Sequence, residues 1–218
     1  MKMLPLLIFI CVFCFSTCSK IEGNSVEKGK RSSSGTILAL GDSLTAGYGL
    51  PQSESYPSQL EKKLNDNSYN YRIINAGISG DTTAGLLARI DWVLEGGAPS
   101  VSILCIGSND AFQGKPVEEI ERNIRTIIER IQSKNIPILF AGMKAPLNLG
   151  PEYATSYEGI FPKIAKEYNI AYIPFLLEGV ALNPELNQED RIHPTASGYA
   201  VVTNTVYNAL IKNNLIFK

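Results

Sequence analysis

The sequence predicts an α/β fold in which a parallel sheet is covered by helices on both faces. Three observations carry this. Short apolar runs recur along the chain, most of them stop at a glycine, and helical periodicities fill the gaps between them. The first run is Thr36-Ile37-Leu38-Ala39-Leu40, ending at Gly41. The second, Tyr71 to Ala76, ends at Gly77, and the third, Val101 to Ile106, ends at Gly107. A fourth, Ile136 to Ala141, stops at Gly142, and Ala171-Tyr172-Ile173-Pro174 is the weakest of the five. Helices are expected between Pro51 and Leu64, Thr82 and Leu94, and Pro151 and Tyr168. The best marked is the stretch Val117, Ile120, Ile124, Ile127, Ile128 and Ile131, whose steps of three and four build one apolar stripe. Tyr199, Val202, Val206 and Leu210 repeat the pattern in the last helix, which Pro194 is expected to open. There is no internal repeat.

The bulk numbers exclude several classes. Lys+Arg total 20 against 21 Asp+Glu, a net charge of -1, so no basic surface points to nucleic acid. An apolar content of 44% with 19% charge is ordinary for a globular domain and argues against general disorder. The N-terminus differs from the rest. Lys2 precedes a nearly unbroken apolar run from Met3 to Phe15, closed by Ser16-Thr17-Cys18. About a dozen residues fall short of the roughly 20 a membrane span needs. The charged start, apolar middle and small-residue exit match a secretory signal over 1–18. Cys18 behind two small residues resembles the cleavage and lipidation site of bacterial lipoproteins, although Phe15 and Thr17 replace the usual Leu and Gly or Ala. Lipidation at Cys18 is the leading expectation, ahead of plain signal cleavage and of an uncleaved anchor. Residues 19–35, rich in Ser, Lys, Glu and Gly, read as a flexible tether, and 36–218 as the folded domain. The protein is expected to be exported, either periplasmic or membrane-anchored.

Outside the leader the only cysteine is Cys105, in an apolar strand run where a small buried side chain is expected. With one histidine and one such cysteine, no zinc ligand set exists, and no metal or cofactor is expected.

That one histidine is informative. His193 stands in Asp190-Arg191-Ile192-His193-Pro194, with a carboxylate three positions before it that a short turn could bring to the ring. If an imidazole serves as general base here, it is His193. A serine stands one step past the first strand, in Gly41-Asp42-Ser43-Leu44, where it would be exposed near a helix start. Taken alone, that motif is better read as a capped turn. In a parallel sheet the loops at the carboxyl ends of the strands share one edge, where ligands bind. Gly41-Asp42-Ser43, Gly77-Ile78-Ser79-Gly80-Asp81 and Gly107-Ser108-Asn109-Asp110 should meet there, within reach of the His193 loop.

These blocks, in order and rough spacing, resemble those of the SGNH (GDSL) hydrolases. The look is nearest to the bacterial periplasmic branch of acyl-CoA thioesterase I, lysophospholipase and arylesterase. Pro146 to Tyr168, with its Tyr-x-x-x-Phe/Tyr spacing, is similar to that branch too, and the likeness runs over about residues 36–212. It implies a three-layer α/β/α flavodoxin-like sandwich with a five-stranded parallel sheet. Ser43 would be the nucleophile, His193 the base and Asp190 its orienting carboxylate. The backbone N–H groups of Ser43 and Gly77 and the Asn109 amide would form the oxyanion hole, Gly77 allowing its N–H to point inward without a side chain. Asp42, Asp81 and Asp110 are read as structural, hydrogen-bonding loop backbones. One departure is visible: Ser108 follows Gly107 where many relatives have a second glycine.

The implied activity is a serine esterase acting on lysophospholipid, aryl ester or thioester substrates, with a lipid anchor favouring lipid esters. A carbohydrate O-deacetylase of the same family ranks second. A non-catalytic acyl-binding lipoprotein ranks last, since a binder has no need of Asp-x-x-His-Pro. Tyr48, Leu50 and Phe112 are candidates for lining an acyl groove.

Overall fold

A computed structural model describes residues 35–97 and 99–218. The segment expected to be a signal, most of the expected tether and Cys18 lie outside the described residues. Among those described, five strands form one all-parallel sheet in the order β2-β1-β3-β4-β5. They are β1 (Gly35–Gly41), β2 (Tyr71–Gly77), β3 (Val101–Cys105), β4 (Ile138–Ala141) and β5 (Ala171–Ile173). Gly35, read from sequence as tether, is the first residue of β1 and pairs with Tyr71.

Seven α-helices among the described residues surround the strands: α1 (Ser43–Ala46), α2 (Tyr56–Asp66), α3 (Thr83–Glu95), α4 (Ser108–Phe112), α5 (Val117–Gln132), α6 (Pro151–Glu167) and α7 (Ala196–Lys212). Helix α2 packs on α7, while α3 packs on α5 and α5 on α6. Each buries the stripe its periodicity defines. Ile120, Ile124, Ile127, Ile128 and Ile131 of α5 are fully buried, as are Tyr199, Val202, Val206 and Leu210 of α7. β3 is buried along its whole length, as a central parallel strand covered on both faces must be. Cys105, its last residue, has no solvent exposure, and burial pushes its thiol well above the ordinary value.

Pro194 does not open the last helix. It pairs with Asn187 in an isolated antiparallel bridge, and Thr195 caps α7 by accepting from the Gly198 N–H. The loop that carries His193 is thereby tied to the preceding segment before the helix starts.

The strand order places the functional edge. Chain connections leave β1 toward β2 on one side and cross to β3 on the other, so the order of strands reverses between β1 and β3. A crevice opens at the carboxyl ends of two strands where the order reverses in this way. The residues that follow β1 are Asp42 and Ser43, and those that follow β3 lead to Ser108 and Asn109.

Candidate active site

Ser43 is the first residue of α1, directly beyond the β1 turn at Gly41-Asp42. Its Oγ lies 2.8 Å from His193 Nε2, and His193 Nδ1 lies 2.6 Å from Asp190 Oδ2. A carboxylate only accepts, so Nδ1 carries the proton toward Asp190 and Nε2 is left to accept from the Ser43 hydroxyl. The Asp190 loop is self-bracing. Asp190 Oδ1 accepts from the N–H groups of Ile192 and His193, at 2.9 and 3.0 Å, and the Gln188 N–H donates to the His193 carbonyl at 2.8 Å. Partial burial alone would raise the Asp190 carboxyl. The hydrogen bonds from the His193 ring and from these two N–H groups outweigh it and hold the group below its ordinary value. The Tyr48 ring packs on the imidazole, with centroids 4.6 Å apart.

The structure brings Asn109 to the same place and sets Gly77 aside. The Asn109 amide donates one hydrogen to the Asp81 carbonyl at 2.8 Å, which fixes the plane of an NH2 group with a second hydrogen to give. Gly77, expected at the oxyanion hole, donates its N–H to Asn75 Oδ1 at 3.0 Å and is not among the residues lining the cavity at Ser43. Its lack of a side chain serves packing instead: a Cβ there would fall 2.4 Å from the Ala46 nitrogen and 2.8 Å from the Thr45 carbonyl carbon, inside α1. Gly80 does line the cavity, beside Ser79, Ser108 and Asn109. It holds φ at +83°, and its N–H has no protein acceptor among the described residues, nor has that of Ser43. Both glycines stand in the same sequence block, and nothing in the residue types says which one faces the ligand.

The cavity over Ser43 measures about 770 Å³, within the range that holds small ligands. Apolar side chains make up much of its wall, Phe112, Met143, Phe175, Leu177 and Leu182 among them. Tyr48 and Phe112 line it as expected, whereas Leu50 packs against the core. Among the described residues no cluster of His, Cys, Asp and Glu has a metal site's make-up.

The model of the GDSL-like Lipase/Acylhydrolase family matches residues 39–201. The chain belongs to that family. It is 32% identical to the arylesterase of Vibrio mimicus over 97% of this chain and 100% of that protein. It is 35% identical to the thioesterase 1/protease 1/lysophospholipase L1 of Escherichia coli strain K12, over 73% of this chain and 75% of that one. Among solved structures it superposes on AlinE4, an SGNH-hydrolase family esterase, with a TM-score of 0.71 and 46% identity, covering 84% of this chain and 97% of AlinE4. This GDSL-like acylhydrolase is therefore a carboxylic ester hydrolase with the parallel α/β architecture of its relatives.

The remaining acidic residues of the acylhydrolase blocks brace the loops. Buried Asp110 accepts from the Thr83 N–H at 2.8 Å and the Thr83 hydroxyl at 2.6 Å, tying the β3 loop to α3. Asp81 pairs with the Arg89 guanidinium at 2.8 Å rather than with loop backbone. Asp42 caps α1 through Oδ1, which accepts from the Leu44 N–H at 3.0 Å. Its Oδ2 is buried without a protein partner among the described residues, as are the hydroxyls of Thr45, Tyr56 and Tyr199.

Burial pushes the Asp42 carboxyl from 3.8 up to about 6, although the Leu44 N–H and the His193 charge pull it down. A carboxyl with a raised folded-state pKa stabilises the fold fully below its unfolded value and loses that contribution as pH rises through the folded one. The window is thus pH 3.8 to about 6, and the contribution about 3 kcal/mol at about 1.4 kcal/mol per unit. Asp42→Asn keeps an acceptor for the Leu44 N–H and carries no charge. Thermal melts of both proteins should show the wild-type Tm falling relative to the variant between about pH 4 and pH 7. A Tm difference constant over that range would mean that Asp42 does not titrate there.

Proposed function

We propose that the protein is a lipid-directed serine esterase in which Ser43 is the nucleophile, His193 the general base and acid, and Asp190 the orienting carboxylate. The observation that carries this reading is the continuous Ser43–His193–Asp190 hydrogen-bond chain opening into an apolar cavity. In the first half-reaction Ser43 Oγ bonds to the acyl carbon while its proton passes to His193 Nε2. The bond to the leaving alcohol or thiol then breaks as Nε2 returns that proton to the leaving atom. Water, deprotonated by the same nitrogen, attacks the acyl-enzyme and frees Ser43. The oxyanion formed in each half is met by the N–H groups of Ser43 and Gly80 and by the free hydrogen of the Asn109 amide. Gly80 replaces Gly77 in this role because of where its N–H is left and what it lines.

Aryl esters, thioesters and lysophospholipids, the substrates in the names of the relatives, are the candidate classes. The apolar wall favours an acyl chain over a sugar. Export and attachment through a lipidated Cys18 complete the proposal, supported by the leader's charged start and apolar middle.

A p-nitrophenyl ester series from acetate to palmitate tests both parts when run on soluble and membrane fractions of cells making the full chain or its Cys18→Ser variant. The rate should peak at medium or long chains, and the variant should move activity to the soluble fraction. Activity confined to acetate would favour an O-deacetylase, and an unchanged distribution would reject the anchor.

A further inference from the structure

Seven residues other than glycine hold a positive φ among the described residues. Four are Asn and one is Ser, small polar residues suited to such turns. The other two are Leu182, at 66°, and Arg191, at 59°, and both line the cavity that contains Ser43. Glycine would hold either conformation without a Cβ penalty. Side chains kept in an unfavourable backbone conformation cluster at sites that use them.

Both positions are fixed. Arg191 donates its N–H to the Gln188 carbonyl at 2.9 Å, in the loop that also holds Asp190 and His193. Leu182 sits in a turn that Asn187 clamps, its amide donating to the carbonyls of Val180 and Asn183 at 2.6 and 2.7 Å. Leu182 is 78% exposed, so it is not held there to fill the core.

Arg191 is also free to bind. Neither Arg191 nor Lys144, the two cations of the cavity wall, pairs with a carboxylate among the described residues. Glu178 lines the same wall without meeting either of them. The leaving oxygen must take its proton from His193 Nε2, so the leaving group lies on the side of the loop that carries Arg191. A guanidinium there matches a phosphate, which it grips through two parallel N–H donors.

We infer that Arg191 and Leu182 form a two-point reader for an anionic single-chain amphiphile, Arg191 binding a phosphate on the leaving alcohol and Leu182 covering the outer part of the acyl chain. This rests on Ser43 and His193 acting as proposed above. It names the substrate class as acyl esters of a phosphorylated short alcohol, ahead of neutral glycerides or aryl esters.

Matched substrates test it: 1-octanoylglycerol and 1-octanoylglycerol 3-phosphate, both used as monomers, differ only in the phosphate. The wild-type protein should favour the phosphate ester in kcat/KM by about tenfold or more, the size of a charge-assisted hydrogen bond. That preference should shrink as salt is added. Arg191→Gly, which suits the backbone, should erase most of the preference, and Arg191→Gln, which keeps the strain without the charge, should do the same. Leu182→Gly should lower the octanoyl-to-butanoyl rate ratio several-fold and leave the phosphate preference in place. Equal kcat/KM for the two wild-type substrates would overturn the inference. So would an Arg191→Gly variant that loses both substrates by one factor, since that is loop support and not recognition. No turnover of either ester would reject the catalytic assignment itself.

Discussion

Ser43→Ala is expected to lower kcat on any ester by a factor on the order of 10⁶, and Ser43→Ala/His193→Ala to cost little beyond that. The reason is geometric. His193 Nε2 has one acid-base partner in the free protein, the Ser43 hydroxyl 2.8 Å away, so once that oxygen is gone the imidazole has no proton to move. Groups that act as one unit lose their function together, and their separate losses do not add. Asp190→Asn should cost about 10³–10⁴-fold, because an amide in place of the carboxylate turns the ring to the wrong tautomer. The N–H groups of Ile192 and His193, which donate to Asp190 Oδ1, can still reach the side-chain oxygen of the introduced asparagine, so the loop should survive the change. Single-turnover kinetics with a p-nitrophenyl ester checks these variants together with His193→Ala alone. Double-variant loss close to the product of the single losses would show that Ser43 and His193 do not work on the same proton.

The parts of this arrangement that depend on residue type and order were legible in the sequence. Apolar runs ending at Gly41 and Gly107 marked the ends of β1 and β3 because a central parallel strand buried on both faces reads as near-unbroken hydrophobicity until the chain turns, whereas β2, the half-buried edge strand, carries Arg72 and Asn75 before its Gly77. One histidine left no choice of base. What depends on direction was not legible. Helices α1 and α4, of four and five residues, are too short to show any periodicity, yet they orient Ser43 and Asn109. Arg191 and Leu182 draw attention only through a backbone angle that sequence does not print. Pro194 could equally have begun a helix or ended a strand-like pairing, and the bridge to Asn187 decided it. Gly77 and Gly80 are chemically identical residues three positions apart. Only the path of the chain tells which N–H is consumed by Asn75 and which is left over.

That last distinction carries the second large effect. Asn109→Ala should reduce kcat about 10²–10³-fold, equivalent to about 3–4 kcal/mol of transition-state stabilisation, through loss of the one side-chain donor at the oxyanion. The same change removes a single hydrogen bond to the Asp81 carbonyl, worth about 1 kcal/mol to the fold, so Tm should move by only about 3 °C. Gly77→Ala should show the reverse balance. Its new methyl group meets the Ala46 nitrogen at 2.4 Å, and backbone cannot step aside as a flexible side chain does. Overpacking of this kind costs about 1–3 kcal/mol, or a Tm loss of about 5 °C in a domain this size, and any loss of rate follows from displacing α1 beneath Ser43. A Cβ on Gly80 meets nothing within 4 Å, so Gly80→Ala acts through its φ of +83° alone and tilts the N–H next to the oxyanion. Melting curves and kcat measured on all three variants therefore separate packing from charge stabilisation. If Gly77→Ala kept the wild-type Tm while losing rate as Asn109→Ala does, the oxyanion donor would be Gly77 after all.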